Sequence, residues 1–195
     1  MGKIFCIIGK SATGKDHIYQ DLLSRESLDL KTITLYTTRP KRQHEENGKE
    51  YYFVDISRLE EFRRKGCLIE CRQYHTIQGE WNYFTVDDGS VQLDRENYLV
   101  IGTLESFLDM VRYYGREAVV PLYVFVEDGE RLTRALSREK KQLNPQYEEM
   151  CRRFLADQAD FSDEKVRGAG ISRWFENREL TACTEEIAVY ISSVL

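Results

Sequence analysis

Residues 3–16 read KIFCIIGKSATGKD, and this stretch decides the fold. The apolar run Ile4–Ile8 is bounded by glycine and predicts a buried strand. Gly9, Gly14 and Lys15 follow with the spacing of a phosphate-binding loop between a strand and a helix. Glycines allow backbone N–H groups to turn inward around a phosphate, and the lysine supplies a mobile cation for the outer phosphates. The helix predicted to follow points its positive end at the same anion.

The residue after the lysine is unusual for such a loop. A Ser or Thr hydroxyl normally binds Mg²⁺ at this position, and here the residue is Asp16. A carboxylate oxygen is also a good ligand for Mg²⁺, either directly or through a bound water. Because the carboxylate adds a negative charge beside the phosphates, Asp16 favours a site in which the metal is bound. We therefore expect Mg²⁺ to be the cofactor.

Composition and charge exclude several classes of protein. The chain has 195 residues, of which 42% are hydrophobic and 31% charged, as in one soluble globular domain. A formal net charge of -5 argues against a general nucleic-acid binder. No apolar segment is long enough to predict a membrane span. The five cysteines are an odd number with no signal peptide before them, which predicts a reducing cytoplasm, whereas oligomeric state is not indicated.

Strands and helices alternate along most of the chain, which predicts an α/β sandwich around a parallel central sheet. After the first strand, the predicted strands of this sheet are residues 32–36, 98–101, 119–126 and 172–175. The predicted helices are residues 15–23, 104–114, 130–140, 146–160 and 184–194. With a phosphate-binding loop after the first strand, this pattern is that of a three-layer P-loop NTPase fold.

A small mixed α/β subdomain is predicted between two consecutive strands of that sheet. Its β-like segments are residues 51–54, 68–74 and 81–86, with an amphipathic helix at residues 57–65. A basic segment with Arg39, Lys41 and Arg42 precedes it. Pro40 keeps this segment out of a helix, so the guanidinium groups are expected on a loop or strand end. Taken singly, these arginines could equally be solvated surface charges.

The order of these motifs resembles guanylate kinase, a nucleoside monophosphate kinase with a phosphate-binding loop, over nearly the whole chain. Residues 37–51, TTRPKRQHEENGKEY, are similar to the family's TTR-x-x-R-x-x-E-x-x-G-x-x-Y segment. Residues 68–70 resemble its guanine-reading strand, and residues 83–85 its Y-G-T/S motif, with Phe84 in place of the glycine.

The resemblance implies a role for each matching residue. The implied catalytic residues are Lys15, Arg39, Arg138 and Arg153. The implied ATP-binding residues are Gly9, Ser11, Ala12, Thr13, Gly14, Lys15, Asp16 and Asn177. The implied monophosphate-binding residues are Arg39, Arg42, Tyr51, Glu70, Tyr83, Thr85 and Thr103. The implied layout is a core of residues 1–36, 87–136 and 161–195, a monophosphate-binding insert of residues 37–86, and a helical lid of residues 137–160.

The implied reaction is ATP-dependent phosphorylation of a nucleoside monophosphate, foremost GMP or dGMP. Three positions depart from the family pattern: Ala12 replaces a glycine, Leu35 a guanine-contacting serine, and Thr103 a base-facing aspartate. Two alternatives stay open. A loop ending in Lys-Asp also occurs in kinases of other small phosphorylated acceptors. Guanylate-kinase-like modules of scaffold proteins bind without catalysis, although they typically lose the phosphate loop and the lid arginines.

Two interpretations without function also stay open. The glycine-rich stretch could be a turn that merely joins a strand to a helix, although the order strand, loop, helix favours a phosphate site. Glu70, taken in isolation, could belong to an ion pair at a strand edge rather than read a base.

Overall fold

The structure, a computed structural model, describes residues 1–76 and 79–195. Its strands are β1 (Ile4–Ile8), β2 (Leu30–Thr32), β3 (Tyr36–Thr37), β4 (Tyr52–Phe53), β5 (Leu68–Thr76), β6 (Gly79–Val86), β7 (Asn97–Ile101), β8 (Val119–Phe125) and β9 (Trp174–Glu176). Its α-helices are α1 (Lys15–Ser24), α2 (Ile56–Lys65), α3 (Leu104–Tyr114), α4 (Asp128–Glu139), α5 (Tyr147–Asp160), α6 (Asp163–Gly168) and α7 (Leu180–Val194).

The main sheet is parallel and has the strand order β2-β7-β1-β8-β9. Strand β1 lies at its centre, with Ile4 in register with Tyr98 of β7 and Val119 of β8. All residues of β1 are buried, as an uninterrupted apolar sequence requires when both faces of a parallel sheet are covered. The phosphate-binding loop therefore leaves the sheet at the carboxyl end of its central strand.

Side chains of β1 alternate between two cores, which gives the three layers predicted from the sequence. Cys6 packs in the same core as Phe107 of α3. Ile7 packs in the other core, with Ile18 of α1 and Ile187 of α7. Because successive strand residues point to opposite faces, one strand anchors helices on both sides of the sheet.

The second sheet is mixed and has the order β4-β3-β6-β5. Its own small core contains Leu59 and Phe62 of α2 together with Phe84 and Val86 of β6. Phe84 stands where the family motif has glycine, and its side chain is fully buried in this small core. Its neighbours Tyr83 and Thr85 point to the opposite face of the strand, so the bulky residue does not enter the face that carries the predicted site.

The prediction of one strand at residues 32–36 is wrong. The chain forms β2, which pairs with β7 of the main sheet, and then β3, which pairs with β4 and β6 of the second sheet. One continuous strand cannot belong to both sheets, so the chain leaves the first before it joins the second. This crossing was not visible in the apolar pattern.

The other elements are confirmed with shifts at their ends. Helix α3 has the predicted bounds, whereas α7 begins four residues before the predicted residue 184. The earlier start of α7 follows from its cap, because the Glu179 carboxylate accepts hydrogen bonds from the N–H groups of Thr181 and Ala182. Helix α6 was not predicted, although Ser162 caps it by accepting from the N–H of Lys165.

Helices α4 and α5 are joined by a loop that Glu139 holds. The Glu139 side chain is buried, and its carboxylate accepts from the backbone N–H of Gln146 and from the side chain of Gln142. Helix α5 has no fully buried residue and lies on the surface. In the described part of the chain, no helix is long and apolar enough to cross a membrane.

Candidate active site

The phosphate-binding loop, residues 9–15, bends sharply between β1 and α1. A Cβ atom on Gly9 would lie 2.4 Å from the carbonyl oxygen of Val124, so only glycine allows this approach to β8. Gly14 begins α1 with a φ of 86°, and a Cβ there would lie 2.6 Å from Nδ2 of Asn177. Ala12 also has a positive φ, 61°. An L-residue in this region is disfavoured by about 1 kcal/mol or more, so the neighbouring contacts must hold Ala12 in place.

Lys15 is the first residue of α1, and its ammonium group lies over the loop. Its Nζ donates to the carbonyl oxygen of Lys10 at 3.3 Å. Burial lowers the pKa of Lys15 below its usual value, while the carboxylates of Asp16 and Asp157 act in the opposite direction. An amine with few protein ligands, placed at the start of a helix, is suited to bind the outer phosphates of a nucleotide.

Three further residues of the predicted ATP site lie in the loop or next to it. The hydroxyl of Thr13 donates to the carbonyl oxygen of Lys10 at 3.0 Å, inside the bend. Nδ2 of Asn177 donates to the carbonyl oxygen of Thr13 at 2.8 Å, and its buried Oδ1 has no hydrogen-bond partner among the described residues. Asp16 lies in the first turn of α1 with its side chain exposed.

The predicted lid arginines are placed differently from each other. Arg138, at the end of α4, is close enough to Lys15 that its charge contributes to lowering the pKa of that lysine. Arg153, on α5, is 60% exposed and donates from Nε to Glu149 on the same helix at 2.7 Å. The structure thus brings Arg138 toward the loop and leaves Arg153 at the lid surface.

Arg39 is the centre of a polar cluster on the second sheet. Its side chain is 3% exposed and forms a two-pronged ion pair with Glu45, with contacts of 2.6 and 3.0 Å. Its Nε donates to the Tyr83 hydroxyl at 3.1 Å, and its guanidinium lies 5.7 Å from the ring centroid of Tyr51. Arg42 is exposed, and its backbone N–H donates to Glu45 at 2.8 Å. Glu45 therefore orders the Arg39 side chain, which is no solvated surface charge, whereas it contacts Arg42 through the backbone and the Arg42 side chain is exposed.

Glu70 lies further along the same sheet, and its carboxylate is already partnered. The residue is 3% exposed. Thr85 donates its hydroxyl to Oε1 at 2.8 Å, and Arg72 donates from Nε to Oε2 at 3.0 Å. The structure thus brings Glu70 and Thr85 together, as expected if both read the base. It also contains an ion pair of Glu70, which was the alternative interpretation of this residue. Arg72 takes lone pairs that a guanine base would use.

The remaining predicted residue, Thr103, caps a helix. Its hydroxyl accepts from the backbone N–H of Ser106 at 3.1 Å, and the Ser106 hydroxyl accepts from the N–H of Thr103 at 2.8 Å. This reciprocal pair is a capping box at the start of α3. Leu35, at the other noted departure, contributes its carbonyl oxygen to the N–H of Tyr52.

The guanylate kinase family profile matches residues 1–162. The chain belongs to the guanylate kinase family. The match includes the phosphate-binding loop, the second sheet and the arginines of α4 and α5, so the whole of the predicted acceptor site lies inside the family region.

Individual guanylate kinases are similar along most of the chain. The guanylate kinase of Porphyromonas gingivalis is 27% identical over 201 aligned residues, which cover 100% of this chain and 99% of that protein. The guanylate kinase of Sus scrofa is 28% identical over 162 residues, covering 82% of this chain and 77% of that protein. The crystal structure of the Anaplasma phagocytophilum guanylate kinase has the same fold, with a TM-score of 0.68 at 17% identity, covering 98% of this chain and 85% of that one.

Sequence reasoning missed several polar residues beside the guanylate kinase site. The sequence pattern places Arg72 in a β-like segment and Lys10 in the loop. It places Arg131 and Asp157 in polar helices, and it indicates no function for any of the four. The sequence did contain a signal for Arg131, because this charged residue stands at a helix position otherwise expected to face the core. Its side chain is 1% exposed. The partner that such a residue finds is set by tertiary packing.

Proposed function

We propose that this chain catalyses ATP-dependent phosphorylation of GMP to GDP. It is a nucleoside monophosphate kinase of the guanylate kinase family. The observation that carries the proposal is the pairing of two anion sites. A phosphate-binding loop with Lys15 lies at the end of the central strand, and the ordered cluster of Arg39, Tyr83 and Tyr51 lies on the second sheet. One holds the donor and the other the acceptor.

At the donor end, Lys15 and the backbone of residues 9–15 bind the phosphates of ATP. Thr13 and Asn177 fix the bend of the loop through their contacts to its carbonyl oxygens. Ser11, Ala12 and Gly14 contribute backbone N–H groups, which is the chemistry that a loop of this geometry offers an anion. Asn177 is also the residue assigned to the adenine side.

At the acceptor end, Arg39, Arg42, Tyr51 and Tyr83 bind the phosphate of GMP. An arginine fork matches phosphate geometry, and the Tyr83 hydroxyl already lies beside the Arg39 guanidinium. Glu70 and Thr85 read the base, because a carboxylate accepts from the N1–H and N2–H groups of guanine. Thr103 lines the same end from the start of α3.

Transfer needs no protein nucleophile. An oxygen of the GMP phosphate forms a bond to the γ-phosphorus of ATP, while the bond from that phosphorus to the β,γ-bridging oxygen breaks and ADP leaves. Lys15, Arg39, Arg138 and Arg153 stabilise the charge that spreads over the transferring group. We propose that residues 137–160 and the insert close over the substrates, which excludes water and suppresses hydrolysis of ATP.

Mg²⁺ is the proposed cofactor, and Asp16 is the residue that would hold it directly or through a water. When bound, the metal neutralises phosphate charge. Among the described residues, no group of three or more Asp, Glu, His or Cys side chains converges to hold a metal. This fits a cation held by one carboxylate together with nucleotide oxygens, which is the usual arrangement for Mg²⁺ in kinases.

Substitution of Asp16 tests this assignment. Asp16→Ala is expected to lose activity, whereas Asp16→Ser keeps much of it, because serine supplies a hydroxyl oxygen and alanine supplies none. Binding of ATP by the wild type should depend on Mg²⁺ more steeply than binding by Asp16→Ser, since the carboxylate repels the triphosphate without the metal. Titrating Mg²⁺ in ATP-binding and turnover assays of the three proteins is the measurement. An inactive wild type that gains activity as Asp16→Ser would instead support a non-catalytic binding module.

The decisive experiment for the activity is an assay of ADP release with ATP and Mg²⁺ across GMP, dGMP, AMP, UMP, CMP and IMP. GMP and dGMP are expected to give the highest kcat/KM, and Lys15→Ala should abolish transfer with all of them. A second candidate, phosphorylation of another small phosphorylated acceptor, is favoured by one observation: Arg72 already occupies the Glu70 carboxylate. A wild type that is inactive on every nucleotide but active on such an acceptor would replace the first proposal by the second.

The cytoplasm remains the proposed location. The five cysteines are all unpaired in the structure, which supports a reducing compartment.

A further inference from the structure

A partly buried polar cluster joins the phosphate-binding loop to both helices α4 and α5. It is formed by Lys10 and Ser11 of the loop, Asp128 and Arg131 of α4, and Asp157 and Gln158 of α5, and we call these six residues the clasp. Ser11 is the one member of the clasp among the predicted site residues, although the Lys10 carbonyl oxygen accepts from Lys15 and Thr13. The clasp lies directly beside the residues that bind ATP.

Arg131 is the central residue of the clasp. Its side chain is 1% exposed, an unusual position for an arginine. Its Nη1 donates to the carbonyl oxygen of Ser11 at 3.1 Å and to Oδ2 of Asp157 at 2.9 Å, and its Nε donates to Asp128 at 3.1 Å. The guanidinium also lies 4.6 Å from the ring centroid of Phe154 on α5. One side chain thus contacts the loop and both helices.

Asp157 completes the contact with the loop. Its Oδ2 accepts from the backbone N–H of Ser11 at 2.8 Å, and the same oxygen accepts from Arg131. Both polar groups of the Ser11 backbone are therefore held by side chains that are themselves paired. The next residue, Ala12, has the unfavourable positive φ, so the clasp acts on the chain where the loop is strained.

The charges of the clasp balance. The ammonium group of Lys10 contacts Asp128 at 3.3 Å and also donates to Gln158, whose side-chain amide donates to Asp128. Lys10 and Arg131 carry two positive charges, and Asp128 and Asp157 carry two negative ones. Because the cluster as a whole is neutral, the carboxylate of Asp157 beside the loop adds no net repulsion toward a triphosphate.

We propose that Arg131 and Asp157 are positioning residues that hold the phosphate-binding loop in its ATP-binding conformation and couple that conformation to the docking of α5. The pair touches neither the acceptor site nor, by its own atoms, the transferring group; it acts through the backbone of Ser11. The proposal rests on the proposed function only in that ATP is the ligand of the loop.

Single substitutions give the first test. In Arg131→Met and Asp157→Leu, the Kd for ATP with Mg²⁺, measured by calorimetry, is expected to rise about tenfold or more, as the loss of a hydrogen bond to a charged group predicts. The KM for GMP should change little, because the acceptor site lies on the other sheet. Thermal stability should fall in both, since each variant removes one member of the Arg131–Asp157 ion pair and leaves the other with fewer partners.

The double variant Arg131→Met/Asp157→Leu separates positioning from packing. Replacing both members of a buried ion pair with apolar side chains is often neutral for stability, so thermal stability should recover toward that of the wild type. Affinity for ATP should stay low, because the polar groups of the Ser11 backbone have still lost their partners. A merely structural role predicts that ATP affinity recovers together with stability.

Matched controls come from the same helix. Arg152→Met removes an exposed arginine that pairs with Glu149, and Asp160→Leu removes an exposed carboxylate; neither residue has a contact with the loop. Both controls should bind ATP as the wild type does. The proposal is overturned if the double variant regains wild-type ATP affinity, or if any clasp variant binds ATP more tightly, which would make the clasp a competitor of the nucleotide. Because the readout is binding of ATP alone, failure of GMP phosphorylation in the wild type would count against the proposed activity and not against the clasp.

Discussion

At the scale of single residues, the site depends on charges held at unusual burial. Lys15 is one case, because burial lowers the pKa of its ammonium group while it must stay protonated to bind phosphate. A lysine loses its charge as pH rises through its pKa, so a lowered pKa moves that loss toward neutral pH. As pH rises, the affinity of the free protein for ATP should therefore begin to fall at a lower pH than it would if the pKa of Lys15 had its usual value.

The variant Lys15→Arg tests this pH dependence of ATP affinity. Arginine stays protonated at all accessible pH values, so its affinity for ATP, although reduced by the different shape, is expected to be flat on the alkaline side. The wild type should show an alkaline rise in Kd for ATP that Lys15→Arg lacks. Calorimetric titrations across the alkaline range provide the comparison, and parallel profiles in the two proteins would contradict the assignment.

Glu70 is the residue proposed to read the base, and its role is tested at the same scale. Glu70→Gln replaces a carboxylate by an amide, which brings an NH₂ donor toward the donors of guanine. We expect kcat/KM for GMP to fall about tenfold or more, and that for AMP to fall less, because only guanine places two donors on this group. Glu60→Gln, an exposed carboxylate on α2 that pairs with Arg63, is the matched control and should change neither. Equal losses with both nucleotides would mean that Glu70 does not read the base.

At the scale of elements, caps and helix ends set the geometry of the site. Thr103 stands where the resembled family has a base-facing aspartate, and here its hydroxyl is used by the capping box of α3. A residue that caps a helix is fixed in position, so the start of α3 is held by the Thr103–Ser106 pair. The same argument applies to Glu179, whose capping of α7 holds the segment that follows Asn177.

Removal of the cap gives a stability prediction. Thr103→Ala is expected to cost about 1 kcal/mol, because the N–H of Ser106 loses its acceptor. For a chain of this length the midpoint of thermal unfolding should fall by about 2–4 °C. Thr103→Ser should retain most of the stability, and Thr133→Ala, which removes an exposed hydroxyl on α4, should change it less. A Thr103→Ala variant as stable as the wild type would rule out the capping role.

At the scale of the whole molecule, the proposed sites divide the two substrates between the two sheets. The main sheet carries the phosphate-binding loop, and the second sheet carries the arginine and carboxylate clusters proposed to bind the acceptor. The division follows from topology, because the chain leaves β2 of one sheet to build the other before it returns to β7. Changes on one sheet should therefore affect mainly one substrate.

Arg39 tests this division. Arg39→Lys keeps a positive charge but loses the fork, and is expected to raise the KM for GMP about tenfold while leaving the KM for ATP nearly unchanged. Lys49→Ala serves as the control and should alter neither constant, because Lys49 is an exposed lysine near the same sheet that pairs with Glu46. Steady-state kinetics with each substrate varied in turn supply both values. A larger rise for ATP than for GMP would mean that the two sites are assigned to the wrong sheets.

Local sequence was sufficient for the main fold and for the loop. An apolar run followed by Gly9, Gly14 and Lys15 has few physical solutions, and the alternation of strands and helices fixes the parallel sheet. The resemblance of residues 37–51 to the family segment also pointed to an acceptor site, and Pro40 indicated that its arginines lie outside a helix. These features depend on neighbours in sequence, so they can be read without a structure.

Only the tertiary structure decided which charged groups meet. The contacts of Arg131 with Ser11 and Asp157, and of Glu70 with Thr85, join residues whose partners are set by helix docking and strand register. The separation of β2 from β3 likewise depends on which sheet each segment joins. Hydrophobic periodicity specifies which face of an element is buried. A buried charge is paired with whatever polar group the fold brings to it, and the identity of that group depends on the packing of distant elements.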